Sequence, residues 1–151
     1  MRALIQRVTE ARVTNEDDPS ARPASIGAGY VILLGVGHDD TEAEVKKLWS
    51  KISKLRIFED AAGKTNLSLA EVDGSALVVS QFTLFASCKK GNRPSFTDAA
   101  KPELADALYR AFVACAREDG VEVEQGWFGA HMQVSLVNDG PFTIWLDTDT
   151  L

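Results

Sequence analysis

The segment from Leu77 to Phe85, LVVSQFTLF, constrains the fold of this chain more than any other stretch. It is nearly continuous in apolar residues and of strand length, the pattern of a strand buried on both faces rather than of one with a wet side. Such a strand needs material above and below it. Helical stripes supply part of that cover. From Thr41 to Leu55 the residues Val45, Leu48, Trp49, Ile52 and Leu55 recur at helical spacing, with Thr41 and Glu44 spaced as a capping box. A second helix is expected from about Pro102 to Asp119, with Pro102 at its first position, Gly120 as its stop and Leu104, Leu108, Phe112 and Cys115 on its buried face. Strand-like segments outnumber these helices: Arg2 to Val8, Ala11 to Thr14, Tyr30 to Val36, Arg56 to Phe58, Val121 to Gln125, Met132 to Val137 and Phe142 to Leu146. The last two are separated by NDGP, which has the composition of a turn. Too few β-α-β alternations occur for a doubly wound sheet, so the expected class is α+β: a barrel-like pair of mainly antiparallel β-sheets flanked by two α-helices.

Length fits one domain over residues 1–151. Apolar runs such as Tyr30 to Leu34 are far too short to span a bilayer, and the N-terminal MRALIQRV lacks the apolar core of a secretory signal. The expected location is therefore the cytoplasm, with no membrane contact. Two cysteines, Cys88 and Cys115, fit a reducing compartment, and neither stands in a cluster with metal-ligand spacing. No metal or cofactor is expected. A formal charge of -6 argues against a general nucleic-acid binder, whose affinity would come from phosphate contacts. A local basic site remains open, because Lys89, Lys90 and Arg93 form a stretch with no carboxylate between Leu84 and Asp98.

Standard catalytic signatures are missing: the chain has no P-loop, GxGxxG, HExxH or GxSxG pattern. The only histidines are His38, expected in an exposed loop, and His131, beside FGA in a stretch able to approach a site. Two motifs admit two readings each. SQFTL, Ser80 to Leu84, puts Ser80, Gln81 and Thr83 at the end of an apolar strand. They either bond the backbone there or line a pocket whose N–H groups stabilise an oxyanion. NDGPFT, Asn138 to Thr143, is either a plain turn or a rigid display of backbone carbonyls that a second group approaches closely at Gly140.

Taken in order along the chain, MRALIQRV, ILLGV, LRIFED, NLSL, LVVSQFTLFA, GNRPSF, FGAHM, SLVNDGPFT and IWLD resemble the segments of the D-aminoacyl-tRNA deacylases of bacteria and eukaryotes. The resemblance covers essentially the whole chain, and SQFTL with NDGPFT is its most specific pair. One stretch departs from it: the loop from Thr14 to Ile26 is longer than the family's compact hairpin and lacks its glycine-rich turn. The resemblance implies hydrolysis of the ester bond of D-aminoacyl-tRNA, and of glycyl-tRNA mischarged on alanine tRNA. It implies a homodimer with its active sites at the interface and the aminoacylated 3′ end of tRNA as partner. The family's Gly-Pro bond, here Gly140 and Pro141, is cis, enters the other subunit's pocket and places carbonyls where an L side chain would go. Arg7 holds that motif.

On the same resemblance the 2′-hydroxyl of the terminal adenosine assists the attacking water. The Phe82 N–H would then serve the oxyanion, Ser80 and Gln81 would position the substrate, and Thr83, Phe128 and Met132 would line the pocket. Lys89, Lys90 and Arg93 would contact the tRNA backbone. Two alternatives stand beside this. Thr83 could be a nucleophile, although nothing beside it in sequence offers a base. The chain could also be a non-catalytic tRNA-binding module of the same fold.

Overall fold

The computed structural model describes residues 1–151. Its organising element is strand β1, Arg2–Asn15. One edge of β1 pairs antiparallel first with β3, Gly29–Gly35, through Arg2–Val8, and then with β2, Ala24–Ile26, through Ala11–Val13. β3 continues in parallel to strand β6, Ser75–Ser80, and β6 in parallel to β7, Val123–Gln125. The other edge of β1 carries β8, Met132–Asp147, antiparallel along almost its whole length. A small hairpin of β4, Phe58–Glu59, and β5, Thr65–Leu67, stands apart. The sheet curls until β2 lies against β6 and β7, so the barrel is nearly closed, and helices α1, Glu42–Ile52, and α2, Pro102–Glu118, cover one side. This is the expected α+β class.

Alternation along the central strands explains the two-sided core. Tyr30, Ile32, Leu34, Ala76 and Val78 point to the helices, where they meet Leu48, Trp49, Ile52, Phe112 and Val113. Val31, Leu77 and Val79 point the other way, into a smaller core with Val8, Ala11, Val13, Ala24 and Ile26. Burial of each large aliphatic or aromatic side chain contributes about 2 kcal/mol. Strand β1 serves both cores, Ala3 and Ile5 facing the helices and Val8, Ala11 and Val13 the interior of the curl. Register shifts around Val8 turn it from one to the other. The expected break between Arg2–Val8 and Ala11–Thr14 is therefore such a shift within one strand.

Helix α1 begins as its sequence signal indicates: the Thr41 hydroxyl accepts the Ala43 N–H, and Glu44 accepts the Thr41 N–H. In α2 the buried face is Leu108, Tyr109, Phe112, Val113 and Ala116, while Leu104 is exposed and Cys115 only partly buried. That corrects the expected stripe at its first turn, which runs out beyond the edge of the core.

Two larger corrections concern the motifs. The strand expected through Phe85 ends at Ser80, the last residue paired with β3, and Phe82–Phe85 forms a 3₁₀ turn instead. The Phe85 ring lies directly on Gly35 and Gly37, where an added Cβ would come within 3.0–3.2 Å of it. The chain folds down at Gln81 to seat that ring. NDGP is not a hairpin turn: both expected strands are halves of β8 and pair with the same edge of β1, so the chain does not reverse. Asp139, Gly140, Pro141 and Phe142 bulge out opposite Arg7 alone, between the pairs Gln6–Thr143 and Val8–Asn138. The Asn138 amide closes the bulge, accepting the Phe142 N–H at 2.7 Å and donating to the Thr143 hydroxyl at 3.1 Å.

Candidate active site

Where β6 ends, the turn after it, the first half of α2 and the segment from Phe128 to Val134 enclose a cleft of about 630 Å³. Its walls are mostly apolar, and its polar groups converge from Ser80, Gln81, Tyr109 and His131. A largely apolar cleft with few polar groups is what a binding site for a small ligand portion requires.

Each wall has a local cause. Ser80 is the last paired residue of β6, and the Gln81 N–H still reaches the Leu34 carbonyl at 2.7 Å, so both are set by the sheet. Phe82 and Thr83 open the 3₁₀ turn, and their N–H groups have no acceptor within it. Phe82 is 56% exposed and lies at the mouth, edge-on to Phe96 with centroids 5.0 Å apart. Tyr109 stands at the back. Its hydroxyl donates to the Val78 carbonyl at 2.9 Å, and burial holds it well above the ordinary phenol range, so it is a neutral donor. The turn into β8 is tight because Met132 Sδ fills its centre. Sδ accepts the Trp127 N–H at 3.3 Å and lies 2.7 Å from where a Cβ on Gly126 would stand, so any larger residue there would push the Met132 side chain out of this place.

The structure thus gathers Ser80, Gln81, Phe82, Phe128 and Met132 into one cleft. Ser80 and Gln81 are only partly buried and Thr83 is exposed, so the expectation of buried polar groups in SQFTL is corrected: the turn carries them out of the core. Thr83 sits beside the cleft, its hydroxyl accepting from the Gln81 amide. Lys89, Lys90 and Arg93 are exposed on a loop closed by the pair Ser87–Ser95, which leads into Phe96 at the cleft. His131 lines the cleft, and His38 is exposed with its Nε2 against the Thr97 carbonyl. Sequence reasoning missed Tyr109 and Phe96, whose spacing and composition are those of ordinary core residues.

Arg7, Gly140 and Pro141 do not line this cleft. They form a second constellation at the bulge. The buried Arg7 guanidinium donates from Nε to the Asp139 carbonyl at 3.1 Å, lies 3.0 Å from the Asp139 carboxylate, and donates from Nη1 to the Ile57 carbonyl at 2.5 Å. Its Cζ is 4.6 Å from the centre of the Phe142 ring. Gly140 and Pro141 are exposed, and the bond between them is cis. Around them β8 leaves its outer edge unpaired and presents Val134, Val137 and Trp145 to solvent. Val134 also lines the cleft, so the exposed apolar face of β8 and the cleft share a border.

No group of three or more His, Cys, Asp or Glu side chains is arranged to hold a metal ion, and no helix is long and apolar enough to cross a membrane.

Residues 4–147 match the family model described as D-Tyr-tRNA(Tyr) deacylase. A D-aminoacyl-tRNA deacylase of Thermotoga petrophila is 52% identical over 151 residues, covering 100% of this chain and 99% of that protein. One of Lacticaseibacillus casei is 56% identical over 149 residues and covers 99% of each chain. Among solved structures, the c-Myc DNA Unwinding Element Binding Protein superposes with a TM-score of 0.87 at 40% identity, over 97% of this chain and 98% of its own.

Proposed function

Because the chain belongs to the D-aminoacyl-tRNA deacylase family, it is a hydrolase of the D-aminoacyl-tRNA ester bond, and we propose that it works through a site shared between two copies. The cleft of one copy takes the aminoacylated 3′ end of tRNA. The Asp139–Pro141 bulge of the other closes it and excludes L side chains. One observation carries this reading: Arg7 ties down the bulge at Asp139 while Gly140 and Pro141 stay exposed, away from their own cleft, and the cleft borders an uncovered apolar strand edge at Val134. A long, unpaired, partly apolar edge invites a second chain, and a C2 pair would bring two bulges to two clefts at once.

Within the cleft the Phe82 N–H stabilises the oxyanion that develops on the ester carbonyl, an effect of about 3 kcal/mol for one well-aimed donor. Ser80 and Gln81 position the substrate, and Phe128 and Met132 line the space for its amino-acid portion. The substrate's own 2′-hydroxyl assists water, so the protein supplies orientation and a preset electrostatic environment rather than a nucleophile. Glycine has no side chain for the filter to reject, so glycyl-tRNA mischarged on alanine tRNA is a second substrate. Lys89, Lys90 and Arg93 meet the tRNA backbone beside the mouth, and the cytoplasm is the place of work.

The test is release of D-tyrosine from D-Tyr-tRNA by the purified protein, with L-Tyr-tRNA as control. Selective release of the D form is expected. Equal action on both forms, or none on either, contradicts the proposal, and the second outcome would favour a non-catalytic module.

Thr83→Ala is expected to retain activity within about threefold, because its exposed hydroxyl only accepts from the Gln81 amide. Near-complete loss of turnover with an unchanged circular-dichroism spectrum would make Thr83 the nucleophile.

A further inference from the structure

The ladder between β1 and β8 ends in an unusual way, next to the cleft wall. Asn15–Met132 is the last regular pair. In the next pair the Glu16 N–H donates to the His131 carbonyl at 2.8 Å, as an antiparallel ladder requires. The reciprocal bond is not made to the Glu16 carbonyl. The His131 N–H donates instead to the Asp17 carboxylate, Oδ2, at 2.8 Å. The chain has already turned away, because Asn15 Oδ1 accepts the N–H groups of both Asp17, at 2.9 Å, and Asp18, at 3.2 Å. A side chain therefore completes the ladder at the point where the backbone leaves it.

His131 lies in the segment that forms one wall of the cleft. That segment is tied to β6 at its other end by the Gly126 N–H, which reaches the Val78 carbonyl at 2.9 Å. Between these ends it has two internal bonds, from the Ala130 N–H to the Trp127 carbonyl at 3.2 Å and from the Trp127 N–H to Met132 Sδ at 3.3 Å. The wall is thus a span between two anchors, and at its β8 end the loop from Glu16 to Pro23 adds its bonds at His131 beside the Asn15–Met132 pair.

We propose that Asp17 is a positioning residue for the deacylation cleft, fixing the Phe128–Met132 wall through the His131 N–H. This rests on the reading of the cleft as the site that takes the aminoacyl end. The long loop after β1 thereby has a task in substrate binding although it does not line the cleft. A carboxylate accepting a backbone N–H is stronger than a neutral pair, though exposure weakens it.

Two readouts in the full-length protein test this. In steady-state deacylation of D-Tyr-tRNA, Asp17→Ala is expected to raise KM about fivefold with kcat within about twofold. Asp17→Asn, which keeps a carbonyl acceptor at the same reach, is expected to restore KM. Asp18→Ala, which removes only the loop's own bonds to Ser20, is expected to leave KM unchanged. In hydrogen exchange, the peptide spanning Gly126 to Met132 is expected to exchange faster in Asp17→Ala and at the wild-type rate in the other two. Unchanged exchange there in Asp17→Ala overturns the proposal, as does an unchanged KM or a failure of Asn to rescue it. If the wild-type protein releases no D-tyrosine, the deacylase reading fails while the exchange experiment still decides the role of Asp17.

Discussion

Gly140→Ala is expected to lower kcat/KM for D-Tyr-tRNA at least about tenfold and to contract the ratio of D to L activity, with little loss of folding stability. Gly140 has φ +129, a backbone conformation that L side chains rarely adopt. A Cβ there would lie 2.9 Å from Phe142 Cδ2, 3.0 Å from the Phe142 backbone nitrogen and 3.4 Å from Arg7 Nη2. Phe142 N is itself bonded to the Asn138 side chain, so it cannot yield without opening the bulge. The methyl group therefore displaces the backbone that the proposal uses as the chiral filter. Because Gly140 is exposed, the disturbance stays local. Measuring release from D-Tyr-tRNA and L-Tyr-tRNA side by side checks this, and a variant with the wild-type rate and ratio would remove Gly140 from the filter.

The second large effect is expected from Arg7→Lys, which keeps the charge and loses the fork. Arg7 serves the Asp139 carbonyl, the Asp139 carboxylate and the Ile57 carbonyl at once, with its plane near the Phe142 ring. A lysine ammonium is a single point and cannot span these acceptors, so at least one is left without its charged donor. The expected loss of stability is about 3 kcal/mol, seen as a fall in Tm of roughly 6–12 °C for a chain of this size. Activity measured well below that Tm is expected to fall at least about tenfold, because the bulge is no longer held in one orientation. Wild-type activity in a folded Arg7→Lys variant would show that the bulge keeps its orientation without the guanidinium.

Local signals in the sequence carried the start of α1, whose helix ends at Ile52 rather than at the expected Leu55, and the burial of the central strand. The capping box at Thr41 and Glu44 starts α1 where its side chains say it should, and the unbroken apolar run at Leu77–Val79 is buried on both faces because those residues alternate between two cores. What stayed hidden depends on distant partners. NDGP has turn composition, but whether the chain reverses there is decided by β1, which pairs with both flanking halves. SQFTL leaves the sheet because of the Phe85 ring on Gly35 and Gly37, far away in sequence. Tyr109 has a core residue's spacing and cannot be told from packing until the cleft in front of it is seen. The roles of Arg7 and Gly140 came from family resemblance. The structure adds the contacts that fix them and the fact that they stand away from their own chain's cleft.

On the proposed arrangement, a complete site takes its cleft from one copy and its bulge from another. A mixed dimer tests it most directly, with one subunit carrying Gly140→Ala and the other Ala105→Phe, a substitution that fills the cleft from α2. The two chains are co-expressed with different affinity tags and isolated together. Each doubly substituted homodimer is expected to be nearly inactive on D-Tyr-tRNA. The mixed dimer has one cleft and one bulge intact, on opposite chains, and is expected to recover about half of the wild-type activity per dimer. A mixed dimer no more active than its parents, or the absence of any mixed species, would contradict the account.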